Sequence, residues 1–90
     1  MNNVVITVVG RDTVGIIAKV CTCLADANVN VLDISQTIVR DFFNMMMVAD
    51  FSGARRPFDE IAADLRAIGD DLGLQIRCQR EEIFDMMHRV

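Results

Sequence analysis

Residues 8–20, VVGRDTVGIIAKV, contain the change from strand to helix that decides the fold. The run of β-branched residues that ends at Val9 predicts a strand over residues 3–9, and apolar residues then recur at helical spacing, which predicts a helix over residues 14–27. Gly10 and the polar residues behind it predict a loop between the two. A helix that starts after such a loop presents free backbone N–H groups, which can bind an anion.

The next elements form a predicted hairpin. Residues 28–40 and 43–51 are two strand-like segments around RDFF, which we interpret as the turn. In the first of them Leu32, Ile34 and Ile38 alternate with polar residues and therefore share one face of the strand.

A second helix and a last strand complete the pattern. Pro57 is well placed in the first turn of an amphipathic helix, and Gly73 is expected at its C-cap. Residues 72–80 alternate as a final strand, and residues 81–90 predict one or two helical turns. The order βαββαβ predicts one ferredoxin-like α+β domain over residues 1–90: a four-stranded antiparallel sheet with two helices on one face and a short C-terminal helix.

Composition limits the classes of partner. The chain has 90 residues, of which 52% are hydrophobic and 24% are charged, as expected for one small globular domain. A net charge of −4 argues against nucleic-acid binding, which needs a cationic surface. The start of the chain lacks the features of a signal peptide, and no apolar run reaches membrane-spanning length, so we expect a cytoplasmic protein with no membrane partner.

The third strand predicts association of the chain with itself. Its residues are apolar on both faces, which a sheet with one face in water tolerates poorly. We therefore expect another subunit or the C-terminal tail to cover the second face, and we expect a homodimer or a larger homo-oligomer. In this strand order the second strand lies at a sheet edge, so pairing with its symmetry mate is one arrangement, and face-to-face packing of two sheets is the other. The apolar residues are Phe43, Met45, Met47 and Ala49 on one face and Met46 and Val48 on the other.

Residues that carry catalysis or bind metals are scarce. Cys21 and Cys23 are about 200° apart around a helix and diverge, so with Cys78 we interpret them as buried free thiols. His88 is a single histidine with no nearby partner. We therefore predict no catalytic residue, no metal site and no cofactor.

The segments VVGRDTVGIIAKV and LADANVNVLDISQ together resemble the ACT domain, a small regulatory module that binds amino acids. The ending QREEIFDMMHRV is similar to the closing segment of standalone bacterial and archaeal ACT proteins. The regulatory protein of the glycine cleavage system is a related case. The resemblance covers essentially the whole chain and implies the ferredoxin-like fold.

The resemblance also implies a site. ACT domains typically bind a free amino acid at a subunit interface, between the loop after strand 1 and the start of strand 2. In this sequence the corresponding residues are Gly10, Asp12, Thr13, Gly15, Ile16, Asn30 and Val31. Amides near Gly15 and Ile16 would bind the carboxylate, and the side-chain oxygens of Asp12 and Asn30 would accept hydrogen bonds from the ammonium.

Three of these residues have a purely structural alternative. Asp12 or Thr13 could cap the first helix, and Asn30 could turn the chain from helix to strand in a left-handed conformation. Three functions therefore stay open: an amino-acid sensor that passes its bound state to a protein partner it regulates, an adaptor module without a ligand, and a small enzyme such as an acylphosphatase. The enzyme is disfavoured because Arg11 lacks the phosphate-cradling pattern around it.

Overall fold

The computed structural model describes residues 2–82 and confirms the predicted ferredoxin-like fold. The elements are β1 (Asn3–Arg11), α1 (Ile16–Asp26), β2 (Asn30–Val39), β3 (Phe42–Asp50), α2 (Phe58–Leu72) and β4 (Leu74–Arg80). The four strands form one antiparallel sheet in the order β2-β3-β1-β4, so β2 and β4 are its edges. A short C-terminal helix is predicted over residues 81–90, of which residues 83–90 lie outside the described part of the chain.

The register of the sheet divides its residues between two faces. Val8 of β1 lies between Met45 and Ile76, and all three are buried. Residues directly opposite each other point to the same side of a sheet. We call this side the helix face, because α1 and α2 pack their buried side chains into the same core. The opposite side is the open face. The core residues from the two helices include Ile16, Val20, Leu24, Ile61 and Leu65.

Strand β3 is apolar on both faces, as predicted. On the helix face Phe43, Met45, Met47 and Ala49 are buried, whereas Met46 on the open face is 44% exposed and Val48 is half-buried.

The edge strand β2 leaves apolar side chains uncovered even on the helix face. Ile34 lies opposite Met47 and Ile38 opposite Phe43, yet these isoleucines are 45% and 53% exposed. Leu32 is also exposed and lies at an irregularity of register between Val31 and Asp33. The predicted shared face therefore holds for the isoleucines, and β2 has an apolar edge.

Several boundaries differ from the sequence prediction. β1 does not end before Gly10 but continues through it, because Gly10 pairs with Phe43 and with Leu74. An added Cβ on Gly10 would lie 2.6 Å from Leu74 Cδ2, so glycine here permits close packing of β1 against β4. α1 begins at Ile16 rather than near residue 14. The turn of the hairpin contains only residues 40 and 41.

The structure also corrects the left-handed residue after α1. It is Asn28, with φ of 61°, whereas Asn30 already belongs to β2. The Nδ2 of Asn28 donates a hydrogen bond to the carbonyl oxygen of Gly53 at 2.8 Å, which joins this turn to the loop after β3. Gly73 has φ of 73° and forms the C-cap of α2, as predicted.

Candidate functional site

The loop between β1 and α1 is the candidate site, and backbone contacts hold it at both ends. At its start the N–H of Asp12 donates to the carbonyl oxygen of Asp41 in the β2-β3 turn, at 2.7 Å. At its end Gly15 is the N-cap of α1 with φ of 90°, and its carbonyl accepts from the N–H of Lys19 at 2.9 Å. Glycine tolerates this left-handed conformation because it has no Cβ.

The start of α1 has no side-chain cap within the described chain. Neither Asp12 nor Thr13 bonds the first helical amides, so the structure contradicts the capping alternative. The backbone reason is that the helix starts at Ile16, and Gly15 occupies the N-cap position where those side chains would be needed. The amides of the first turn precede the helical bonds and carry the partial positive charge of the helix end.

A cavity of about 290 Å³ lies beside this loop. Of the predicted site residues it brings together Asp12, Thr13, Gly15 and Ile16. Its remaining wall comes from the first turn of α1 and from the paired strands β2 and β3. The residues that complete the lining are Ile17, Ala18, Gln36, Ile38 and Phe43.

The other predicted residues do not line this cavity. Gly10 packs against β4. Asn30 and Val31 lie at the opposite end of β2, roughly 22 to 27 Å from Ile38 at the strand's rise per residue. Asn30 is opposite Asp50 and shares the open face with it, whereas Val31 is opposite Ala49 on the helix face. A single chain therefore does not bring the start of β2 to the loop.

The sequence prediction missed Gln36, the polar residue that β2 contributes to the cavity. Gln36 lies opposite Met45, between the two isoleucines of the helix face. A polar residue that interrupts the apolar alternation Ile34, Gln36, Ile38 is the signal that could have identified it. The sequence predicts that Ile38 lies on the apolar face of the strand, but it does not indicate that Ile38 belongs to the site.

Several titratable groups outside this loop have shifted pKa values. At the far end of β2, hydrogen bonds from the Ser52 hydroxyl and N–H lower the pKa of Asp50 below its ordinary value. The cysteines are free and half-buried, less enclosed than predicted. Burial raises the pKa of Cys78 to about 11, and burial together with the Asp64 carboxylate raises that of Cys23.

Residues 2–82 contain neither a metal-binding cluster nor a membrane-crossing helix. No group of three or more histidine, cysteine or acidic residues in that range is arranged to hold a metal ion. Neither α1 nor α2 has the length and hydropathy that a membrane-crossing helix requires.

Relatives of the chain occur in bacteria and archaea. A UPF0237 protein of Bifidobacterium longum is 60% identical over 90 residues, with all of both chains covered. A UPF0237 protein of Methanocaldococcus jannaschii is 43% identical, again over the whole of both chains. These full-length matches agree with the predicted resemblance to standalone proteins.

Solved structures with the same fold include an ACT domain protein from Streptococcus pneumoniae, at 36% identity and a TM-score of 0.78, covering 93% of this chain and 94% of that one. A putative glycine cleavage system transcriptional repressor shares the fold at 22% identity and a TM-score of 0.75, covering 88% of this chain and 45% of that one. The family model described as ACT domain matches residues 2–79. The chain therefore belongs to the ACT domain family of small regulatory modules.

Proposed function

We propose that this protein is an amino-acid sensor that acts as a homodimer, with the ligand bound beside the loop between β1 and α1. The observation that carries the proposal is the 290 Å³ cavity, in which Asp12 and Gln36 line the same space as the uncapped start of α1. Donors for a carboxylate and acceptors for an ammonium are therefore available within one small volume.

The two charged groups of an amino acid bind different parts of the cavity. The amides of the first turn of α1 donate to the carboxylate, and the Asp12 carboxylate and Gln36 side-chain oxygen accept from the ammonium. Each such charge-assisted bond contributes about 1.5 to 3 kcal/mol, so a few of them suffice for micromolar affinity after the cost of association. The ligand's side chain contacts the apolar wall formed by Ile17, Ile38 and Phe43.

A second copy of the chain completes the site in this proposal. Antiparallel pairing of β2 with its symmetry mate brings the start of one β2 beside the end of the other. Val31 of the second copy then lies on the helix face beside the cavity of the first, and Asn30 lies at the same end of the strand on the open face, although both are far from the cavity within one chain. The half-exposed Ile34 and Ile38 support this arrangement, because pairing removes them from water.

The bound state is passed to a protein partner that the dimer regulates. The regulated process could be amino-acid metabolism or transcription, and the putative glycine cleavage repressor with the same fold supports the second choice only by analogy. The proposed role is regulatory and not catalytic, in the cytoplasm.

A second candidate is an adaptor module that dimerises without a ligand. The apolar edge of β2 supports it equally, since association requires no occupant in the cavity. Binding of a free amino acid distinguishes the two candidates.

The experiment is calorimetric titration of the purified protein with each of the twenty amino acids, supported by thermal shift. We expect at least one to bind and Asp12→Asn to weaken that binding about tenfold, because the substitution removes the charge that the ammonium contacts. Asp70→Asn, an exposed change on α2, is the matched control and should have no effect. If the parent binds no amino acid, or Asp12→Asn binds as well as the parent, the ligand assignment is wrong.

A further inference from the structure

The second edge of the sheet carries a groove that the proposed ligand site does not use. It lies between α2 and β4 and has a volume of about 550 Å³. Four consecutive residues of β4, from 76 to 79, line it. Successive side chains of a strand point to opposite faces, so a groove lined by four in a row follows the free edge of the strand rather than one face.

The charges along this edge are mainly positive. Arg77 lies opposite Thr7 and therefore on the open face, whereas Arg66 reaches the edge from α2 and interacts electrostatically with Cys78. Within residues 2–82 neither guanidinium forms a salt bridge, and both side chains are exposed. Asp59 is the one acidic residue of the groove lining. Arginines thus flank the edge of β4 from both sides of the sheet.

The backbone of β4 is available as well. Its only neighbour in the described sheet is β1, so the outward N–H and C=O groups of residues 74–78 have no strand of that sheet beside them. An extended peptide added to such an edge gains main-chain hydrogen bonds, and its alternate side chains reach both faces. Apolar wall residues, including Phe58, Ala62 and Ile76, can pack against side chains that point to the helix side.

We propose that the β4 edge binds an extended acidic segment of a partner protein as a fifth strand. Its backbone pairs with β4, and its acidic side chains bind Arg77 on the open face and Arg66 on the helix side. This inference goes beyond the amino-acid site, which lies at the other edge of the sheet, and it does not depend on that site.

Charge disfavours a second copy of this chain as the occupant. β4 spans Leu74–Arg80, so antiparallel pairing about its midpoint sets Arg77 opposite Arg77 of the other copy. Like charges directly opposite destabilise a strand pair. An acidic side chain opposite Arg77 forms an attractive pair at the same position.

The test titrates the isotope-labelled protein with a seven-residue peptide, as long as β4, that has blocked ends, two adjacent glutamates at its centre and valine elsewhere. The adjacent glutamates point to opposite faces of an extended strand, one towards Arg77 and one towards Arg66. We expect amide chemical-shift changes within residues 58–66 and 74–80, and slower hydrogen exchange of the outer amides of β4. Arg66→Gln with Arg77→Gln should weaken binding about tenfold, as for the loss of a charge-assisted hydrogen bond. Arg55→Gln, an exposed arginine outside the groove, should leave it unchanged.

Three results would overturn the proposal. The first is equal binding of a peptide with lysine in place of glutamate. The second is the same shifts with free glutarate, which would indicate a site for small anions instead of a strand. The third is the lack of any shift in β4 at millimolar peptide, or shifts along β2 instead.

Discussion

The two edges of this sheet have the same kind of free backbone but different side chains. β2 is ten residues long, contains one charged residue, Asp33, and exposes Ile34 and Ile38. β4 is seven residues long, and its exposed side chains, Gln75, Arg77 and Arg80, are polar or charged. Two copies of an apolar edge can pair, whereas two copies of a cationic edge repel. The comparison indicates that side chains, not unpaired backbone groups, decide which edge meets a second copy.

The largest effect is expected from Ile34→Lys, which should convert the proposed dimer to a monomer. Association buries only the exposed 45% of Ile34, so each copy loses roughly 1 kcal/mol of apolar burial; the two lysines placed at the seam add repulsion and a desolvation cost, and the affinity of association should fall more than a hundredfold. Sedimentation velocity over a range of protein concentrations measures this loss of association. Because Ile34 is 45% exposed in the single chain, the monomer should remain folded.

Gln75→Lys is the matched control, because it adds the same charge to an exposed position of β4. It should leave the dimer intact. A dimer that survives Ile34→Lys but dissociates on Gln75→Lys would reverse the assignment of the two edges.

Gly10→Ala should destabilise the attachment of the β4 edge. The new Cβ would lie 2.6 Å from Leu74 Cδ2 and 3.1 Å from Leu74 Cα, and overpacking of this kind costs about 1 to 3 kcal/mol. Urea unfolding measures the loss of stability, and hydrogen exchange should show β4 opening before β2. Gly53→Ala, whose closest neighbour is the end of the Asn28 side chain at 3.2 Å, should cost less. Equal losses would contradict the packing role of Gly10.

Gln36→Ala should weaken amino-acid binding about tenfold without a change in melting temperature, because it removes an acceptor from the ligand ammonium and not from the core. Thr37→Ala changes the next residue of the same strand, which lies opposite Asn44 on the open face, and should bind normally. Calorimetry checks both. Normal binding by Gln36→Ala would exclude Gln36 from the site.

Mixing two variants sharpens this result. Asn30→Ala should weaken binding by about 1 to 3 kcal/mol, because it leaves a polar partner unpaired. If Asn30 acts on the cavity of the other copy, a heterodimer of Asn30→Ala and Gln36→Ala chains contains one intact site and one doubly altered site. Half of the binding sites in the heterodimers should therefore bind the amino acid with the affinity of the parent protein. No recovery would place both residues in the same chain's site or exclude Asn30.

The smallest effect concerns the packing of β4 against α2. Burial raises the pKa of Cys78 from an ordinary value of 9.0 to about 11, so the folded protein holds this proton more tightly than the unfolded chain. The stabilisation is complete below pH 9 and is lost as the pH rises towards 11. Unfolding across this range should show a steeper alkaline decline for the parent than for Cys78→Ala. Parallel declines would contradict the burial of the thiol.

The fold could be predicted because its determinants are local. The apolar stripe of α2, the alternation in β4 and the glycine at residue 73 are each visible in a short window. The register of the sheet is not visible in such a window, because it depends on residues that are far apart in the chain. The sequence predicts Gly10 in the ligand loop, whereas in the structure Gly10 packs against Leu74. This contact joins residues that are distant in sequence, so a local pattern does not show it.

The sequence predicts only part of the site, because local patterns identify only residues that are close together in the chain. The loop residues Asp12, Thr13, Gly15 and Ile16 are neighbours in sequence and line one cavity. Gln36 interrupts the apolar alternation of β2, but its place in the cavity depends on the pairing of β2 with β3, which a short window does not show. The start of β2 was expected beside the loop, but one chain separates them by most of the length of the strand.

The first strand, β1, pairs with the last strand, β4, and this pairing brings the two ends of the described fold together. Val4 lies opposite Arg80, and the Nδ2 of Asn3 donates to the Glu81 carboxylate at 3.2 Å, so the two ends of the sheet fold meet at one corner. A short linker could join residues 3 and 81, and the chain could be reopened at the exposed turn formed by Arg40 and Asp41. The same corner allows the module to be inserted into a host protein whose chain enters and leaves at almost the same point.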